Sequence, residues 1–317
     1  MDKVLFLNRA TDISVSTVSV FFSKLMNKGN ISTCAQYHFP NSFHQKLWRI
    51  LGLVGYSGNL WLGDWKKNLS SYSIIIVCAT KNKDVIKYLC KNKQPGQRII
   101  LWYWNPAFCC IDPELVKNWG CELWSFDAND CDKYNMFYNT TYYFKDLQLP
   151  KSKKEKVDVF FCGLSKGRNS FLFTIQNRVE KMQLVPYFHI VDEQLPIEEQ
   201  KPRLSYQENL EYISSCKAVL DILQEGQDGM TLRVMEALFF QKKLITNQLS
   251  LVKADFYHPN NIFIIGKDDW NNLKSFMSTP IVPISEEIKY KYDFFSWVER
   301  LRGEKRCVSK FGRSENI

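Results

Sequence analysis

Asp228 and Glu236, separated by seven residues in DGMTLRVME with Arg233 between them, are the side chains here best able to do chemistry together. A carboxylate can accept two hydrogen bonds from a vicinal diol, and each charge-assisted bond is worth roughly 1.5–3 kcal/mol. A guanidinium three residues before Glu236 can offset a phosphate or pair with the acid itself. The same residues have a plainer reading. Asp228 or Thr231 would cap a helix, and Arg233 and Glu236 would form an ordinary helical ion pair worth roughly 0.2–0.5 kcal/mol. A second cationic group lies upstream in CGLSKGR, where Gly163 closes an apolar run and Lys166 and Arg168 follow. A ligand approaches backbone most readily at a glycine, and the two cations would neutralise phosphate charge; an exposed surface loop would look the same.

Positioning these groups requires edges where backbone N–H groups are free. Residues 217–246 read as strand, loop, helix and strand: an apolar run at 218–223, a polar glycine-punctuated loop at 224–229, helical spacing of Leu232, Met235, Leu238 and Phe239, and a second run at 243–246. The loop with Gly229 and the helix start at Thr231 form a ligand-ready edge, because unpaired donors and the helix dipole point there. Asn247 ends the second strand where a base could lie. Upstream, 157–162 is a strand, 163–168 a loop and 170–179 a helix, followed by a strand at 185–191, whose His189 reads as a core residue, and a helix at 205–215.

The first half repeats the alternation. Strands are expected at 3–7, 73–79, 98–102 and 122–126, with helices at 16–26, 84–90 and 114–119. Asn105 and Asp127 follow the last two strands, and 127–135 reads as a polar loop; residues 30–70 give no clear pattern. Later segments predict a strand at 261–265, a helix at 268–277 and an amphipathic closing helix at 292–301. Strand alternating with helix argues an α/β chain with parallel, doubly wound sheets. Length, 317 residues, suits two domains. The charged run after Pro150 makes 151–156 the natural linker, dividing 1–150 from 157–290, with 291–317 as a closing helix and basic tail.

Hydrophobic residues make up 45 % of the chain, enough for two cores, but no apolar run reaches the roughly eighteen residues a membrane span needs. The apolar run near the start is short and reads as a first strand, not a signal peptide. Ten cysteines without a C-x-x-C favour reduced, buried thiols in a cytoplasmic protein. A net charge of +9 fits an anionic partner: a nucleotide diphosphate, an acidic glycan, a lipid-linked phosphate or an anionic inner-membrane surface. No zinc finger, RNA-binding signature or basic helix supports a nucleic-acid partner. Asp130-Cys131-Asp132 is formally a D-x-D, the metal-binding pattern of one class of sugar transferases, although short matches in Asp-rich loops are common.

The acid–x7–acid block followed by Glu236-Ala237-Leu238 resembles the E-x7-E signature of retaining nucleotide-sugar glycosyltransferases of the GT-B type, with Asp in place of the first Glu and Gln227-Asp228-Gly229 where Gly-Phe-Gly is usual. The strand–Gly163–Lys166–Arg168 block resembles the first strand of the same donor-binding domain. W-N-P at 104–106 and S-F-D at 125–127 resemble the N-terminal domain of CgeB-like and capsule or lipopolysaccharide transferases. The resemblance implies two Rossmann-like domains facing a cleft. It implies a nucleotide sugar as donor, a glycan or lipid-linked acceptor, and no cofactor or metal. Glu236 would hold the ribose and Asp228 would lie beside the sugar. Lys166, Arg168, Arg233 and the helix start at Thr231 would stabilise the departing diphosphate, with Gly163, Gly229 and Asn247 lining the nucleotide. Asn105 and Asp127 would lie on the acceptor side. Two other readings are a non-catalytic nucleotide-sugar or glycan-binding protein on such a scaffold, and a metal-dependent transferase using Asp130 and Asp132.

Overall fold

Apolar runs of strand length and helices with one apolar face assemble here into two parallel sheets. The structure, a computed structural model, describes residues 2–11, 18–151 and 154–303. In the first compact unit the elements run β1 (Val4–Thr11), α1 (Val18–Met26), β2 (Ile31–Tyr37), α2 (Ser42–Leu53), β3 (Ile74–Cys78), α3 (Asp84–Lys91), β4 (Arg98–Tyr103), α4 (Pro113–Val116), β5 (Glu122–Ser125), α5 (Ala128–Tyr134) and β6 (Phe137–Tyr138). The strands pair in parallel in the order β2-β1-β3-β4-β5-β6. β3 is buried at every position, as a central strand covered on both faces must be.

The second unit runs β7 (Val157–Leu164), α6 (Asn169–Lys181), β8 (Pro186–Val191), α7 (Tyr206–Ser215), β9 (Cys216–Asp221), α8 (Leu232–Phe239), β10 (Lys243–Thr246), β11 (Ile262–Ile264), α9 (Leu273–Ser278), α10 (Glu286–Tyr292) and α11 (Phe294–Arg302). Its sheet is also parallel, ordered β11-β10-β9-β7-β8. Val159, Phe161, Ala218, Leu220 and Ile245 meet Leu172, Ile175 and Val179 of α6 in one core. Each fully buried large aliphatic side chain contributes roughly 1.5–3 kcal/mol. The chain is thus α/β with doubly wound parallel sheets, as the alternation implies.

Several elements differ from expectation for local reasons. The 127–135 segment is a helix, not a loop: the Asp127 carboxylate accepts from Asn129 N at 2.9 Å, and Asn135 closes α5 in the left-handed region. The expected helix at 114–119 shortens to α4. The closing helix expected at 292–301 is α11, which starts after Asp293, whose carboxylate accepts from Phe295 N and from Lys145 N, and a further helix, α10, precedes it. Residues 30–70 contain β2, α2 and two 3-10 turns.

The compact units divide after Asn139, ahead of the 151–156 stretch. Tyr142 and Phe144 lie against Phe294 and Trp297, and Tyr143 pairs with Asp293, so residues 140–150 belong with the closing helices. Residues 12–17, 152–153 and the basic tail beyond 303 lie outside the described residues.

Candidate functional site

In the second sheet the strand order reverses between β7 and β9, and their carboxyl ends form a topological switch point, where open parallel sheets bind ligands. Two guanidiniums meet there. Arg168, at the start of α6, donates from Nε to Ser165 O (3.1 Å), from Nη2 to Leu164 O (2.8 Å) and from Nη1 to Ile222 O. Arg233, in the first turn of α8, donates from Nη2 and Nε to Cys162 O at 2.7 and 3.0 Å and from Nη1 to Asp221 Oδ1 at 3.3 Å. It also lies over the Phe161 ring. Each side chain therefore spans the ends of both strands. Three of the five donors of each are engaged by the protein, so these arginines are strand ties as well as cations.

Gly163 allows this arrangement. A Cβ there would fall on Arg233 Nη2, so the room left by the missing side chain is occupied by the guanidinium rather than left for a ligand. The expectation that Gly163 brings backbone up to a ligand is revised accordingly. Lys166 and Gly167 both adopt the left-handed region, turning the chain sharply between β7 and α6. The Lys166 amide donates to Glu193 Oε1 at 2.9 Å, while its side chain reaches the exposed rim.

Asp221, fully buried at the end of β9, was not singled out from sequence. Its Oδ1 accepts from Thr231 Oγ1 (2.8 Å) and from Arg233, and its Oδ2 has no hydrogen-bond partner. Burial pushes its carboxyl pKa up, against the pull of Arg233 and Thr231. The signal was present: a lone acid closing the apolar run AVLD. Thr231 is the N-cap of α8 and accepts from Arg233 N at 3.2 Å.

Glu236 sits one turn further along α8 among buried Val234, Met235, Ala237 and Leu238, and is itself 3 % exposed. Its Oε1 accepts from Tyr206 Oη and Asn209 Nδ2, both at 3.0 Å, and Tyr206 bonds Tyr143 through their hydroxyls at 2.6 Å. Both bonds fall on Oε1, and none reaches Oε2. Burial raises the carboxyl pKa to about 7, partly opposed by Tyr206 and Arg233. Glu236 and Arg233 are not the helical ion pair that their spacing allows; Arg233 turns to Asp221 instead.

The Asp228 carboxylate accepts from Ser250 Oγ at 2.7 Å, and its carbonyl accepts from Gln248 Nε2, so the loop of Asp228 and buried Gly229 is tied to the loop after β10. Asn247 there accepts from Leu223 N at 2.8 Å. The switch point thus gathers Gly163, Arg168, Asp221, Thr231 and Arg233, with Glu236 on α8 and Asp228 and Asn247 on loops of the same edge. Two guanidiniums, Arg168 and Arg233, share this edge with the Asp221 carboxyl, and Glu193 acts on Arg168 from the loop after β8. Arg168 loses proton affinity through burial and then through the neighbouring Arg233. Such a site takes an anion.

In the first unit, Asn105 is exposed after β4 and Asp127 is buried as the cap of α5. The Asp130 carboxylate, on α5, accepts from Ala107 N at 2.7 Å, tying the segment after β4 to that helix. His189 is a strand residue whose Nε2 meets Pro202 O at 2.8 Å, the structural role expected of it.

Two successive parallel sheets of this kind make up the GT-B fold. The solved structures that share it include an α-glucosyltransferase in complex with UDP and a mismatched 13-mer DNA, 11 % identical, covering 96 % of this chain and 99 % of that one with a TM-score of 0.53. Sucrose-phosphate synthase from Thermosynechococcus elongatus is 9 % identical and covers 96 % and 98 % with a TM-score of 0.55. No protein-family model and no curated protein matches the sequence.

Proposed function

We propose that the chain is a glycosyltransferase that moves a sugar from a nucleotide-sugar donor to a glycan or lipid-linked acceptor. The observation that carries this reading is the pair of guanidiniums fixed at the switch point by strand-end carbonyls, one turn from a carboxyl group whose Oε2 takes no hydrogen bond from the protein. This pairing suits a ligand that is a polyanion at one end and a diol at the other. The likeness in fold supports it, since one of the neighbours was solved with UDP.

In this reading Arg168 offsets the charge that develops on the diphosphate as the glycosidic bond breaks, aided by Lys166 and the α8 start at Thr231, while Arg233, paired with Asp221, holds the donor site in shape. Their hydrogen bonds to strand-end carbonyls hold them in place, so little reorganisation accompanies the step. Glu236 accepts the ribose hydroxyls through Oε2, while Tyr206 and Asn209 fix Oε1. Asp228 lies beside the sugar, Gly229 and Asn247 border the nucleotide, and Asn105 and Asp127 lie on the acceptor side. Retention of anomeric configuration follows from the acid–x7–acid resemblance, and no metal is required. The setting is bacterial surface polysaccharide or lipopolysaccharide synthesis, in the cytoplasm with peripheral contact at an anionic inner membrane. Nucleic acid is not part of the reading.

A thermal-shift screen of nucleoside diphosphates and nucleotide sugars tests it. A ligand at a hundred times its Kd adds about 2.7 kcal/mol of stability. Glu236→Ala is expected to abolish that shift together with donor hydrolysis. A protein stabilised by no nucleotide would overturn the proposal. Activity lost to a chelator and restored by manganese would instead favour Asp130 and Asp132.

A further inference from the structure

No Asp or Glu occurs between Asp12 and Asp64, while Lys24, Lys28, Lys46 and Arg49 fall within that interval. At its centre is α2, capped by Asn41, whose side chain accepts from His44 N at 3.1 Å. Leu47, Trp48 and Leu51 turn inward against the core, where the Trp48 ring lies 4.9 Å from Tyr37 and 5.4 Å from Phe39. The opposite stripe, spaced by three and four residues, is Phe43, Lys46, Ile50 and Leu53, with Arg49 beside it, all exposed. The apolar surface continues past the helix through Val54, Tyr56 and Leu60. Leu53, Val54 and Leu60 are 87 %, 76 % and 74 % exposed. Contiguous apolar surface of this kind marks an interaction face.

We infer that this face docks the chain on an anionic lipid surface. Two features favour lipid over a protein groove. First, cations are interleaved with the apolar side chains along the stripe itself. An interfacial helix carries them so: the chains of Phe43, Ile50 and Leu53 enter the acyl boundary while Lys46 and Arg49 extend to the phosphates. Second, from Phe43 to Leu60 the sequence holds no acid; the nearest in sequence, Asp64, is paired with Lys67 at 2.8 Å, and Asp84 is tied to Gly58 N at 2.6 Å. Trp48, half-buried and packed against the core, holds α2 as a fixed platform, so docking needs no folding step. Among the described residues no helix is long and apolar enough to cross a membrane, so the contact is one of lying on the surface. The inference assigns residues to the peripheral contact proposed above. It rests on lipid binding alone, so its failure is separable from failure of the nucleotide screen.

The test is flotation of the full chain, without donor, with vesicles of phosphatidylcholine alone and with added phosphatidylglycerol, at low and high salt. Binding is expected to the anionic vesicles and to fall with salt. Lys46→Gln/Arg49→Gln is expected to weaken it roughly thirty-fold, since each cation near such a surface is worth about 1 kcal/mol. Phe43→Ser/Leu53→Ser is expected to weaken it as well, and both variants should keep the parent Tm because the side chains are exposed. If the apolar variant fails to fold, the charge variant decides. No binding to anionic vesicles, or equal binding by parent and variants, overturns the inference. A concentration-dependent dimer abolished by Phe43→Ser/Leu53→Ser, without lipid binding, would assign the face to a second copy and overturn it too.

Discussion

Replacing Glu236 with Gln separates the energetic burden of this carboxyl from its use. The side chain is buried, and burial lifts its pKa from 4.5 to about 7. The folded state therefore binds a proton more tightly than the unfolded chain. Stability from this group is fully present below about pH 4.5 and is lost as pH rises through 7. The displacement corresponds to on the order of 3 kcal/mol between those limits. Gln keeps an oxygen for Tyr206 and Asn209 and does not titrate. Urea unfolding of parent and Glu236→Gln from pH 5 to 8.5 reads the difference with other titrations cancelled. The variant should gain on the parent as pH rises, by up to about 3 kcal/mol, while losing nucleotide binding. A stability difference that stays flat with pH would refute the argument that Glu236 is held at an energetic cost, a pattern expected of a group retained for function.

Two further substitutions probe the switch point. Gly163→Ala puts a methyl where Arg233 Nη2 lies and should cost roughly 1–3 kcal/mol in chemical denaturation, because the guanidinium must leave Cys162 O or the strand must shift. Equal stability would mean that the glycine is not what admits Arg233. Thr231→Ala removes both the α8 cap and a donor to buried Asp221, with an expected loss of about 1–3 kcal/mol, whereas Thr231→Ser should restore most of it. A serine variant as unstable as alanine would point to the methyl group and not the hydroxyl.

How far the sequence revealed the fold depended on how each segment buries polar groups. β3 and β7 are nearly unbroken apolar runs and were readable at once. β2 was not, because Gln36 interrupts its pattern. That side chain is buried and donates to Leu7 O and Cys78 O (3.3 and 2.8 Å), so a polar residue is hidden by its partners and not by its type. The α5 segment reads as a loop because Asp and Asn dominate it. One of those residues is its cap and another its left-handed stop, both of which favour a helix boundary. At the candidate site the cations and acids of two motifs were visible, since their spacing is local. Asp221, Tyr206 and Asn209 were not, because they meet Arg233 and Glu236 only once strands and helices distant in sequence are side by side.

The tie between Gly163, Arg233, Asp221 and Thr231 bears on how charge is presented at the switch point. Arg233 is bonded to β7 through Cys162 O and to β9 through Asp221, and Thr231 holds the same carboxylate from the α8 cap. Arg233 thus brings its own counter-charge, and an arriving anion meets a nearly neutral pair there. Arg168 differs: all three of its hydrogen bonds go to carbonyl oxygens, which carry partial and not full negative charge. Of the two, Arg168 is the guanidinium without a bonded counter-ion, Asp221 and Glu193 acting on it only through space, and it is held rigid by the strand ends it caps. A diphosphate that draws on a fixed charge would find it at Arg168, with Arg233 setting the geometry of the strands and of α8 around it.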